Sequence, residues 1–593
     1  MSTEWEPPVQ SPRPPDDVHA VLRDPALSLL ERPDGLLRLQ GNLSTGAVDA
    51  LEPVVELGQM RLSSAPVCFV VPVAGAPAED LERTIQSVLR QTDPSWEVLL
   101  CAPDASSAEL DRWLDIDWRV RRYVYAHAGN EAVLLLDAAV QATSPFIGLL
   151  SQGDTIDDDL VKSIGATVSA NPQADLIYTD EARQFDDGRI GEPFYKPDWS
   201  PDHQLSVHML GRFLAVRKSL LLQTPRPTSR TSEAAEYELA LGLSLKARRI
   251  SHIDEPLYAR APRPARTPVG GFFSPPAVAE ARVAAERYVQ QAQPAATVVE
   301  SRQKSGALHA QWPVPAGTAV TLLILTGLRK RELPGRGLVT LATHFVRSII
   351  EKSTATGYRI IVVDDGETDA ELNALLSRHG HITRTCPKHT PFSFAYKANF
   401  ATSLVDSGIV LLLNDDLEVI SPDWIQELAG QAARPQVGAA GCRLLFANDT
   451  LQHAGIGLGL GGVSGHLFHE HSADGSEYAG LASVDRDCSA VTGAVMAYRK
   501  QVFDEVGGFD ERFRTDYNDI DFCLRCIATG YRVVYDAAAT LYHFHNSSLK
   551  RSHDSAPERD AFLGLWQSTV QRDPFLNKNF QLQHVDKPLV VSP

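Results

Sequence analysis

The chain has 593 residues, a formal net charge of −18 and an isoelectric point near 5.5. Hydrophobic residues make up 44% and charged residues 22%, which is typical of a globular protein, and the length exceeds what one hydrophobic core supports. We therefore expect two to four domains. The acidic balance argues against nucleic acid as the main partner, because phosphate binding needs a basic surface. No apolar run reaches the ~18–20 residues of a membrane span, so we expect at most peripheral membrane contact.

The N-terminal residues and the cysteines both indicate a cytoplasmic protein, a location that includes the inner face of the cytoplasmic membrane. Residues 1–63 are predicted to be a proline-rich, partly disordered leader without the basic-then-apolar pattern of a signal peptide. The seven cysteines are scattered, which is typical of a reduced compartment. Cys523 and Cys526 are close together, but a second pair that would complete a zinc site is missing from the sequence.

A first α/β unit is predicted over residues 64–262. Strand-like apolar runs alternate with helical spacing, a pattern that predicts a doubly wound, mostly parallel sheet. The predicted strands are Val67–Val71, Val98–Cys101 and Phe146–Leu150, and the first helix contains Leu81, Ile85, Val88 and Leu89.

A second α/β unit is predicted over residues 317–593, ending in a helical tail. A connector over residues 263–316 separates the units, with one helix predicted at Val278–Gln291. The second unit repeats the element order of the first at a period of roughly 250 residues, which indicates an internal duplication. Its predicted strands are Val320–Leu325, Arg359–Val363 and Ile409–Leu413, with an amphipathic helix at Leu338, Leu341, Ala342, Phe345, Val346 and Ile349.

Two strands of the second unit end in acidic residues. Asp364-Asp365-Gly366 follows one strand and Asn414-Asp415-Asp416 follows the next. Because parallel strands open on the same edge of the sheet, both groups should lie in one ligand-binding crevice. One group can accept hydrogen bonds from a nucleotide base or ribose, and the other can hold a divalent metal on a diphosphate. Either group alone also fits an ordinary acidic turn.

A further acid, Asp519, is predicted at the start of a helix. Ile520, Cys523, Leu524 and Ile527 have helical spacing, and Gly530 suits a C-terminal cap. By itself, this position is typical of a carboxylate that caps the helix and faces its dipole.

Seven segments of the second unit occur together in an order that indicates a family. They are VVDDG, LLLNDDLEVISPDW, LQHAGIGLGLGGVSGH, SAVTGAVMAYR, VGGFDE, NDIDFCLR and LYHFHNSS. Over nearly all of residues 320–580 the chain resembles the inverting glycosyltransferases of family two with the GT-A fold, notably bacterial O-antigen and rhamnan-type enzymes. The expected fold is therefore α/β, with two tandem GT-A, Rossmann-like domains.

The resemblance implies roles for individual residues of these segments and of their neighbours, together with Mg²⁺ or Mn²⁺ as cofactor. Asn414 stands in the first position of the family's Asp-x-Asp motif, and His545 competes with His543 as the late histidine of the metal site. By this resemblance the general base is Asp519; the nucleotide-binding residues are Thr326, Asp364, Asp365, Asn399 and Asp415; the metal ligands are Asp416 and His543; and the acceptor-binding residues are Gly493, Ala494 and Asn518.

The first unit resembles the same family but lacks its acids. The segments SVLRQTDPSWEVLL, ADLIYTDE and PFYKPDWSPD carry this resemblance. Where the family has metal carboxylates, the chain reads Ser151-Gln152-Gly153-Asp154, and Ser151 and Gly153 cannot replace two of them. We expect a degenerate domain that is structural or binds the acceptor.

The expected function is transfer of a sugar, with inversion, from a dTDP-, UDP- or GDP-linked donor to a polysaccharide or lipid-linked glycan. Rhamnose is slightly favoured by the resemblance, and other polysaccharide-assembly enzymes are expected partners. The alternatives are a bifunctional enzyme with two active units, a non-catalytic carbohydrate-binding scaffold and a nucleotidyltransferase. The histidines of His466-x-x-His469-x-His471 are predicted to lie in a lid or surface loop rather than in a zinc site.

Overall fold

The computed structural model describes residues 27–31, 37–41, 66–73, 77–103, 108–125, 130–185, 187–261, 270–367, 369–474, 478–544 and 556–580. Apart from an antiparallel hairpin of Leu27–Glu31 with Leu37–Gly41, the predicted leader lies outside these residues. The chain divides into two compact units. One contains residues 1–193, 211–228 and 242–264, and the other contains residues 194–210, 229–241 and 265–593.

The first unit is built on a nine-stranded mixed sheet. Four strands at one end are parallel, and Leu214–Arg217 then runs antiparallel to both of its neighbours. The strand order is Val120–Val124, Trp96–Ala102, Val67–Pro72, Phe146–Leu149, Leu214–Arg217, Leu176–Gln184, Ile250–Arg260 and Thr155–Ile156, with Ile190–Phe194 paired to Leu176–Gln184. The helices in this part of the chain are Ala78–Leu89, Ala108–Ile116, Glu131–Ala138, Leu160–Ala170, Lys218–Leu221 and Ser232–Lys246.

The second unit is built on a ten-stranded mixed sheet with the same strand order, position by position. Again four strands are parallel, and Val495–Arg499 runs antiparallel to both of its neighbours. This shared topology confirms the predicted duplication. The order is Ile382–Thr385, Tyr358–Asp364, Val320–Leu325, Ile409–Asn414, Val495–Arg499, Val437–Leu445, Arg532–His543 and Leu417–Val419, with Leu451–His453 and Arg486–Asp487 attached at the side.

The remaining elements of the second unit surround this sheet. The helices are Pro201–Ser206, Pro275–Ala292, Leu341–Lys352, Ala370–Arg378, Phe394–Ser403, Trp424–Ala433, Lys500–Val506, Asn518–Ala528 and Ala556–Gln571, with 3₁₀ turns at Leu460–Gly462 and Tyr478–Ser483. Three antiparallel hairpins pair Thr297–Glu300 with Leu308–Gln311, Lys330–Leu333 with Gly337–Thr340, and Ile456–Leu458 with Ser464–His466.

The central strand Ile409–Asn414 explains the uninterrupted apolar run in the sequence. Val410 and Leu412 pack into one hydrophobic layer, whereas Leu411 and Leu413 pack into another. Because successive side chains of a strand point to opposite faces, a strand covered on both faces needs apolar residues throughout. The polar residues begin only where the strand leaves the sheet.

One predicted helix begins later than its apolar spacing suggested. The helix spans Leu341–Lys352, whereas Leu338 lies in the strand Gly337–Thr340 and is 69% exposed. Pairing with Lys330–Leu333 keeps the chain extended up to Thr340. The spacing of Leu338 therefore fits the helix pattern by coincidence. The predicted connector helix does form, as Pro275–Ala292, with prolines in its first turn.

Residues 194–210, which the sequence places in the first unit, belong to the second compact unit. Asp202 is buried there between two arginines, with Arg434 Nη1 2.6 Å from Oδ1 and Arg532 Nη1 2.6 Å from Oδ2. Burial would raise the pKa of Asp202, but the two guanidinium groups outweigh it and lower that pKa to about 2. The domain limits predicted from the sequence stay a prediction.

The hairpin of the predicted connector is joined to the second unit through the buried side chain of His309. Nδ1 lies 2.6 Å from Asp485 Oδ2, and Nε2 lies 3.0 Å from Glu427 Oε2. Burial alone would lower the pKa of His309, but the carboxylates, including the nearby Asp536, outweigh it and raise that pKa well above its ordinary value. Removing the imidazolium would leave these carboxylates buried without their shared cation.

We expect His309→Gln to destabilise the protein in a pH-dependent manner. The pKa of His309 is raised on folding, so its contribution is complete below the unfolded value near 6.5 and is lost as the pH rises through the folded value. The loss in free energy of unfolding should be about 3–5 kcal/mol at pH 6 and smaller at pH 9. Urea denaturation at both pH values measures it, with exposed His379→Gln as the control. An equal loss at both pH values would contradict the assignment of the charge to His309.

Candidate functional site

The acidic ends of two strands lie on one edge of the second sheet. Val320–Leu325 pairs in parallel with Tyr358–Asp364 on one side and with Ile409–Asn414 on the other. The segments that follow these strands therefore leave the sheet in the same direction. Asp364 is buried, and its Oδ1 accepts a hydrogen bond from the Gly366 N–H at 2.8 Å.

A buried lysine, Lys397, connects the two acidic segments. Its Nζ lies 2.7 Å from Asp365 Oδ1 and donates to the Thr326 carbonyl, also at 2.7 Å. The Thr326 hydroxyl in turn donates to Asp415 Oδ2 at 2.6 Å. Burial raises the pKa of Asp415 to about 6, with the hydrogen bond from Thr326 opposing the shift and the neighbouring Asp416 adding to it. Three of the predicted nucleotide-binding residues thus share one network.

The two predicted metal ligands lie side by side. Asp416 Oδ1 is 3.1 Å from His543 Nε2, and His543 Nδ1 is 2.6 Å from Gln452 Oε1. Gln452 Nε2 also donates to the His543 carbonyl, which fixes the orientation of the amide. Since an amide oxygen only accepts, His543 Nδ1 carries a hydrogen, and Nε2, the nitrogen beside Asp416, is the one that can coordinate a metal ion. One imidazole and one carboxylate fit a Mn²⁺ or Mg²⁺ ion that is also bound by phosphates and water.

A cavity of about 440 Å³ opens beside these residues, within the size range of small-molecule sites. Its lining combines apolar side chains with one predicted metal ligand, His543, and with the base and acceptor-binding residues predicted from the sequence; Asp416 contacts His543 but is not part of the lining. The lining includes Asn414, His543, Gly493, Ala494, Asn518, Asp519, Thr492, His466, His469, Phe394, Phe446 and Tyr517.

Asp519 reaches the cavity from the first turn of the helix Asn518–Ala528. Its Oδ2 accepts the Gly493 N–H at 2.8 Å, and its Oδ1 accepts the Ile520 N–H at 2.9 Å. Burial raises the pKa of Asp519, while these two hydrogen bonds oppose the shift. A carboxylate whose pKa is raised accepts a proton more readily near neutral pH.

The second acid of this helix, Asp521, has a different environment. It is 1% exposed, and its two oxygens lie 2.8 Å from Arg525 Nε and 2.9 Å from Trp566 Nε1. Trp566 belongs to the C-terminal helix Ala556–Gln571, so Asp521 fastens that helix to the unit. The structure thereby distinguishes two acids that the sequence places two residues apart.

Other predicted residues have different contacts. The Asn399 amide oxygen accepts the Phe509 N–H at 2.9 Å, and its nitrogen donates to the Phe509 carbonyl at 2.9 Å. Nucleotide binding by Asn399 stays a prediction that no described contact supports. Asn518 is buried beside the cavity, and the Ala494 carbonyl accepts from the Asn414 N–H. His545 lies outside the described residues.

Sequence reasoning missed Lys397 and Gln452 and underrated His466 and His469, which line the cavity. A lysine among small and apolar residues of a helix was the available signal for Lys397, because such a residue is buried only with a partner. Nothing comparable marked Gln452, since its importance comes from a contact with a residue 91 positions away.

The matching region of the first unit contains an arginine. Ser151 Oγ donates to Glu131 Oε2 at 2.7 Å, and Arg212 lies 2.6 Å from the same carboxylate and 3.1 Å from Ser151. The fully buried Asp154 accepts the Tyr258 hydroxyl at 2.6 Å. The acids that remain here are bound to protein groups.

Among the described residues, one group of three side chains has ligand atoms close enough to hold a metal ion, namely His309, Asp485 and Asp536. These residues belong to the buried network around the connector hairpin. Asp485 Oδ1 accepts the Ala537 N–H, and both His309 nitrogens lie at hydrogen-bond distance from carboxylates. The group is distinct from the predicted pair of Asp416 and His543.

Residues 342–555 match the family described as "Glycosyltransferase like family 2". The chain contains a family 2 glycosyltransferase domain. This agrees with the family inferred from the sequence motifs, and the topology agrees with the predicted tandem α/β fold. No helix among the described residues has the length and apolarity needed to cross a membrane.

Several curated proteins are similar to this chain in sequence. The O-antigen biosynthesis protein RfbC of Myxococcus xanthus is 31% identical over 540 residues, covering 89% of this chain and 41% of that protein. An uncharacterized protein of Sinorhizobium fredii is 29% identical over 549 residues, covering 89% of this chain and 59% of its own length. The O-antigen chain rhamnosyltransferase RfbN of Salmonella typhimurium is 26% identical over 202 residues, covering 34% of this chain and 62% of that protein. The chain thus spans about two fifths of the length of the Myxococcus protein and about three fifths of the length of the Sinorhizobium protein.

Solved structures give weaker similarity. Staphylococcus aureus TarS in complex with UDP-GlcNAc is 15% identical with a TM-score of 0.30, covering 38% of this chain and 66% of that chain. GalNAc-T7 with UDP, GalNAc and Mn²⁺ is 10% identical with a TM-score of 0.33, covering 43% of this chain and 50% of that chain. Similarity at this level carries no conclusion about this chain.

We expect Asp519→Asn to destabilise the protein less than Asp521→Asn. In Asp519→Asn, one of the two backbone hydrogen bonds is lost, but the cost of burying the charge is lost as well, so the free energy of unfolding at pH 7 should fall by less than about 1 kcal/mol. Asp521→Asn weakens the bonds to Arg525 and Trp566 and should cost about 1–3 kcal/mol. Urea denaturation of both variants provides the comparison. Equal destabilisation would contradict the division between a cavity acid and a structural acid.

Proposed function

We propose that this protein transfers a sugar, with inversion, from a nucleoside-diphosphate donor to a polysaccharide or lipid-linked glycan in O-antigen-type biosynthesis. The carrying observation is the cavity that unites His543, which contacts Asp416, with Asp519 in a family 2 domain. Displacement of a diphosphate requires a bound metal ion and a general base in one crevice, and here two candidate metal ligands lie close to a candidate base. RfbC and RfbN, whose names refer to the O-antigen, support the class of acceptor.

Asp364, Asp365 and Asp415 are the proposed nucleotide-binding acids. Asp364 ends the strand Tyr358–Asp364 and Asp415 follows the strand Ile409–Asn414, and both strands pair in parallel with Val320–Leu325. Lys397 keeps Asp365 close to the backbone of Thr326. A base or ribose hydroxyl bound at this edge leaves the diphosphate directed toward Asp416. This arrangement supports donor binding at the strand ends and the acceptor at the far side of the cavity.

Asp416 and His543 are the proposed ligands of a divalent ion. When bound, such an ion neutralises the charge that develops on the departing diphosphate. Gln452 orients His543 so that its lone pair faces the ion site.

Asp519 is the proposed general base. The hydrogen bonds from Gly493 and Ile520 hold its carboxylate toward the cavity. It would take the proton from an acceptor hydroxyl whose oxygen forms the new bond to the anomeric carbon, while the diphosphate leaves with the electrons of the broken bond. Attack from the face opposite the leaving group inverts that carbon. Gly493 and Ala494 leave room for the acceptor beside the base.

The first unit is proposed to have no transfer activity of its own. In it, Arg212 lies where the second unit has acids for a metal, and Asp154 is bonded to Tyr258. A structural or acceptor-binding role is consistent with these contacts.

A donor screen tests the proposal. Wild type and Asp416→Asn are heated with nucleotide sugars linked to UDP, dTDP or GDP, with and without Mn²⁺. A true donor should raise the melting temperature only with metal and only in wild type, because a ligand that binds the native state stabilises it. Stabilisation that is identical without metal or in the variant would contradict the metal site. No response to any donor would favour the scaffold alternative.

Asp519→Asn is expected to retain donor binding and lose transfer by about 10²–10⁴-fold in kcat, because the base is lost with little change in volume. Turnover with the donor found in the screen is the measurement, and the melting shift with that donor is the control. Turnover near the wild-type rate would exclude Asp519 as the base.

Asp154→Asn should leave kcat within about threefold of wild type, since the described hydrogen bonds of its carboxylate come from Tyr258 and Ala261 of the first unit. Asp416→Asn provides the matched change in the second unit and should abolish transfer. Loss of activity in a folded Asp154→Asn protein would revive the bifunctional alternative.

A further inference from the structure

Residues 326–329 follow the strand Val320–Leu325, whose two neighbours in the sheet lead to the two acidic segments. Leu328 has a φ of +50°, in the left-handed region that favours glycine, whereas the φ of Gly327 lies outside that region. The strained residue is therefore a leucine, and the glycine beside it is not needed for the backbone conformation. Gly327 requires another explanation.

Thr326 holds this segment in place with its hydroxyl and its carbonyl. The hydroxyl accepts the Leu328 N–H at 2.8 Å and donates to Asp415 Oδ2 at 2.6 Å, and the carbonyl accepts from Lys397 Nζ at 2.7 Å. Strained residues persist only where their surroundings fix them, and they concentrate at ligand-binding sites. The segment is thus fixed against the acids that are proposed to bind the nucleotide.

The space above Gly327 is open, and two charged groups border it. A Cβ added to Gly327 would lie 3.8 Å from Asp365 Oδ2 and 3.9 Å from Arg329 Nε, and no other described residue beyond its chain neighbours has an atom within 4 Å of that position. Both distances are ordinary contacts, so packing does not require a glycine here either. A side chain at this position would instead fill the space between the carboxylate and the guanidinium.

The two groups at this space have opposite hydrogen-bonding capacity. Lys397 lies 2.7 Å from Asp365 Oδ1, which leaves Oδ2 toward Gly327, and the Asp365 side chain is 45% exposed. Arg329 is exposed, and its guanidinium forms no ion pair or hydrogen bond with the described residues. Burial raises the pKa of Asp415, and attraction by Arg329 is among the effects that oppose this rise, so the guanidinium also acts on the second acidic segment. An acceptor and a donor are thus available to one ligand.

We propose that Arg329 binds the nucleobase of the donor, donating to a carbonyl oxygen of the base while Asp365 Oδ2 accepts the adjacent ring N–H and the base lies over Gly327. The proposal rests on the proposed function and narrows its substrate class. Uracil, thymine and guanine present a carbonyl beside a ring N–H, whereas cytosine and adenine present an amino group beside an unprotonated ring nitrogen. The latter pair makes no hydrogen bond with a guanidinium and a carboxylate, so the site selects UDP-, dTDP- or GDP-linked sugars over CDP- and ADP-linked ones.

An ordinary surface arginine is the simpler interpretation, since most arginines are exposed and solvated. That interpretation leaves Gly327 unexplained, because neither the φ nor the packing of this residue requires glycine. A flat base lying close to the backbone explains the glycine and the two charged groups together.

The base preference is measured by calorimetry on the full chain with Mn²⁺. UDP and CDP form a matched pair, and so do inosine diphosphate and ADP, because the members of each pair differ only in the edge that the site contacts. Wild type should bind UDP or inosine diphosphate at least about tenfold more tightly than the other member of its pair. Equal or reversed affinities would overturn the proposal and leave the proposed function standing. If wild type bound no diphosphate, the proposed function would fail and the role of Arg329 with it.

Single substitutions then assign the preference to residues. Arg329→Met removes the donor and keeps an unbranched side chain, so it should weaken binding of the preferred diphosphate about tenfold and reduce the preference within its pair. Gly327→Val fills the space and should weaken binding by a similar factor. Arg378→Met and Gly564→Val change an exposed arginine and an exposed glycine on helices, and both should remain within about twofold of wild type.

Pyrophosphate separates a contact with the base from a contact with the diphosphate. Inorganic pyrophosphate with Mn²⁺ lacks the base, so Arg329→Met should leave its affinity unchanged while weakening that of the nucleoside diphosphate. An equal loss for both would place Arg329 on the diphosphate and overturn the proposal. Unchanged binding of every probe in Arg329→Met would overturn it as well. Thermal unfolding of this variant without ligand is the control, and it should match wild type because the side chain is exposed.

Discussion

A carboxylate that leaves water needs a positive charge or hydrogen-bond donors close by, and this constraint explains much of the second unit. Asp202 is satisfied by two arginines, and Asp485 by an imidazolium and a backbone N–H. These pairs fasten segments that are distant in sequence. Asp416 lies 3.1 Å from His543 Nε2, and the other ring nitrogen of His543 bonds to the Gln452 amide oxygen. A carboxylate and an imidazole nitrogen that meet in this way can together hold a divalent cation, which is the chemical basis of the proposed metal site.

The two units share one sheet topology but differ in the charged groups at the ends of their central strands. Their strand orders are identical, yet the strand Phe146–Leu149 leads to a serine held by Arg212, whereas Ile409–Asn414 leads to adjacent aspartates. A covalently attached guanidinium supplies permanently the positive charge that an exchangeable ion would supply in the proposed site of the second unit. The two units thus share the fold, while the described contacts of Ser151 and Asp154 are with protein groups, which is consistent with the proposal that the first unit has no transfer activity.

The sequence predicted best those features that depend on neighbours along the chain. Ile409–Leu413 had to be a buried strand because both faces are covered, and parallel pairing then brought Asp364 and Asp416 to one edge. Features that depend on distant partners were not accessible. The contact of Gln452 with His543 is one example, and the position of residues 194–210 in the second unit is another. Periodicity describes one element at a time and contains no information about which residues meet across the fold.

The interleaving of the two units affects how the protein can be divided. A polypeptide beginning at residue 317 would lack Asp202 and His309, leaving Arg434 and Glu427 in the interior without their partners. Such a fragment should misfold for electrostatic reasons unrelated to catalysis. Deleting the first 262 residues would therefore remove part of the second unit together with the first. The function of each unit is therefore better tested by single substitutions in the intact chain than by truncation.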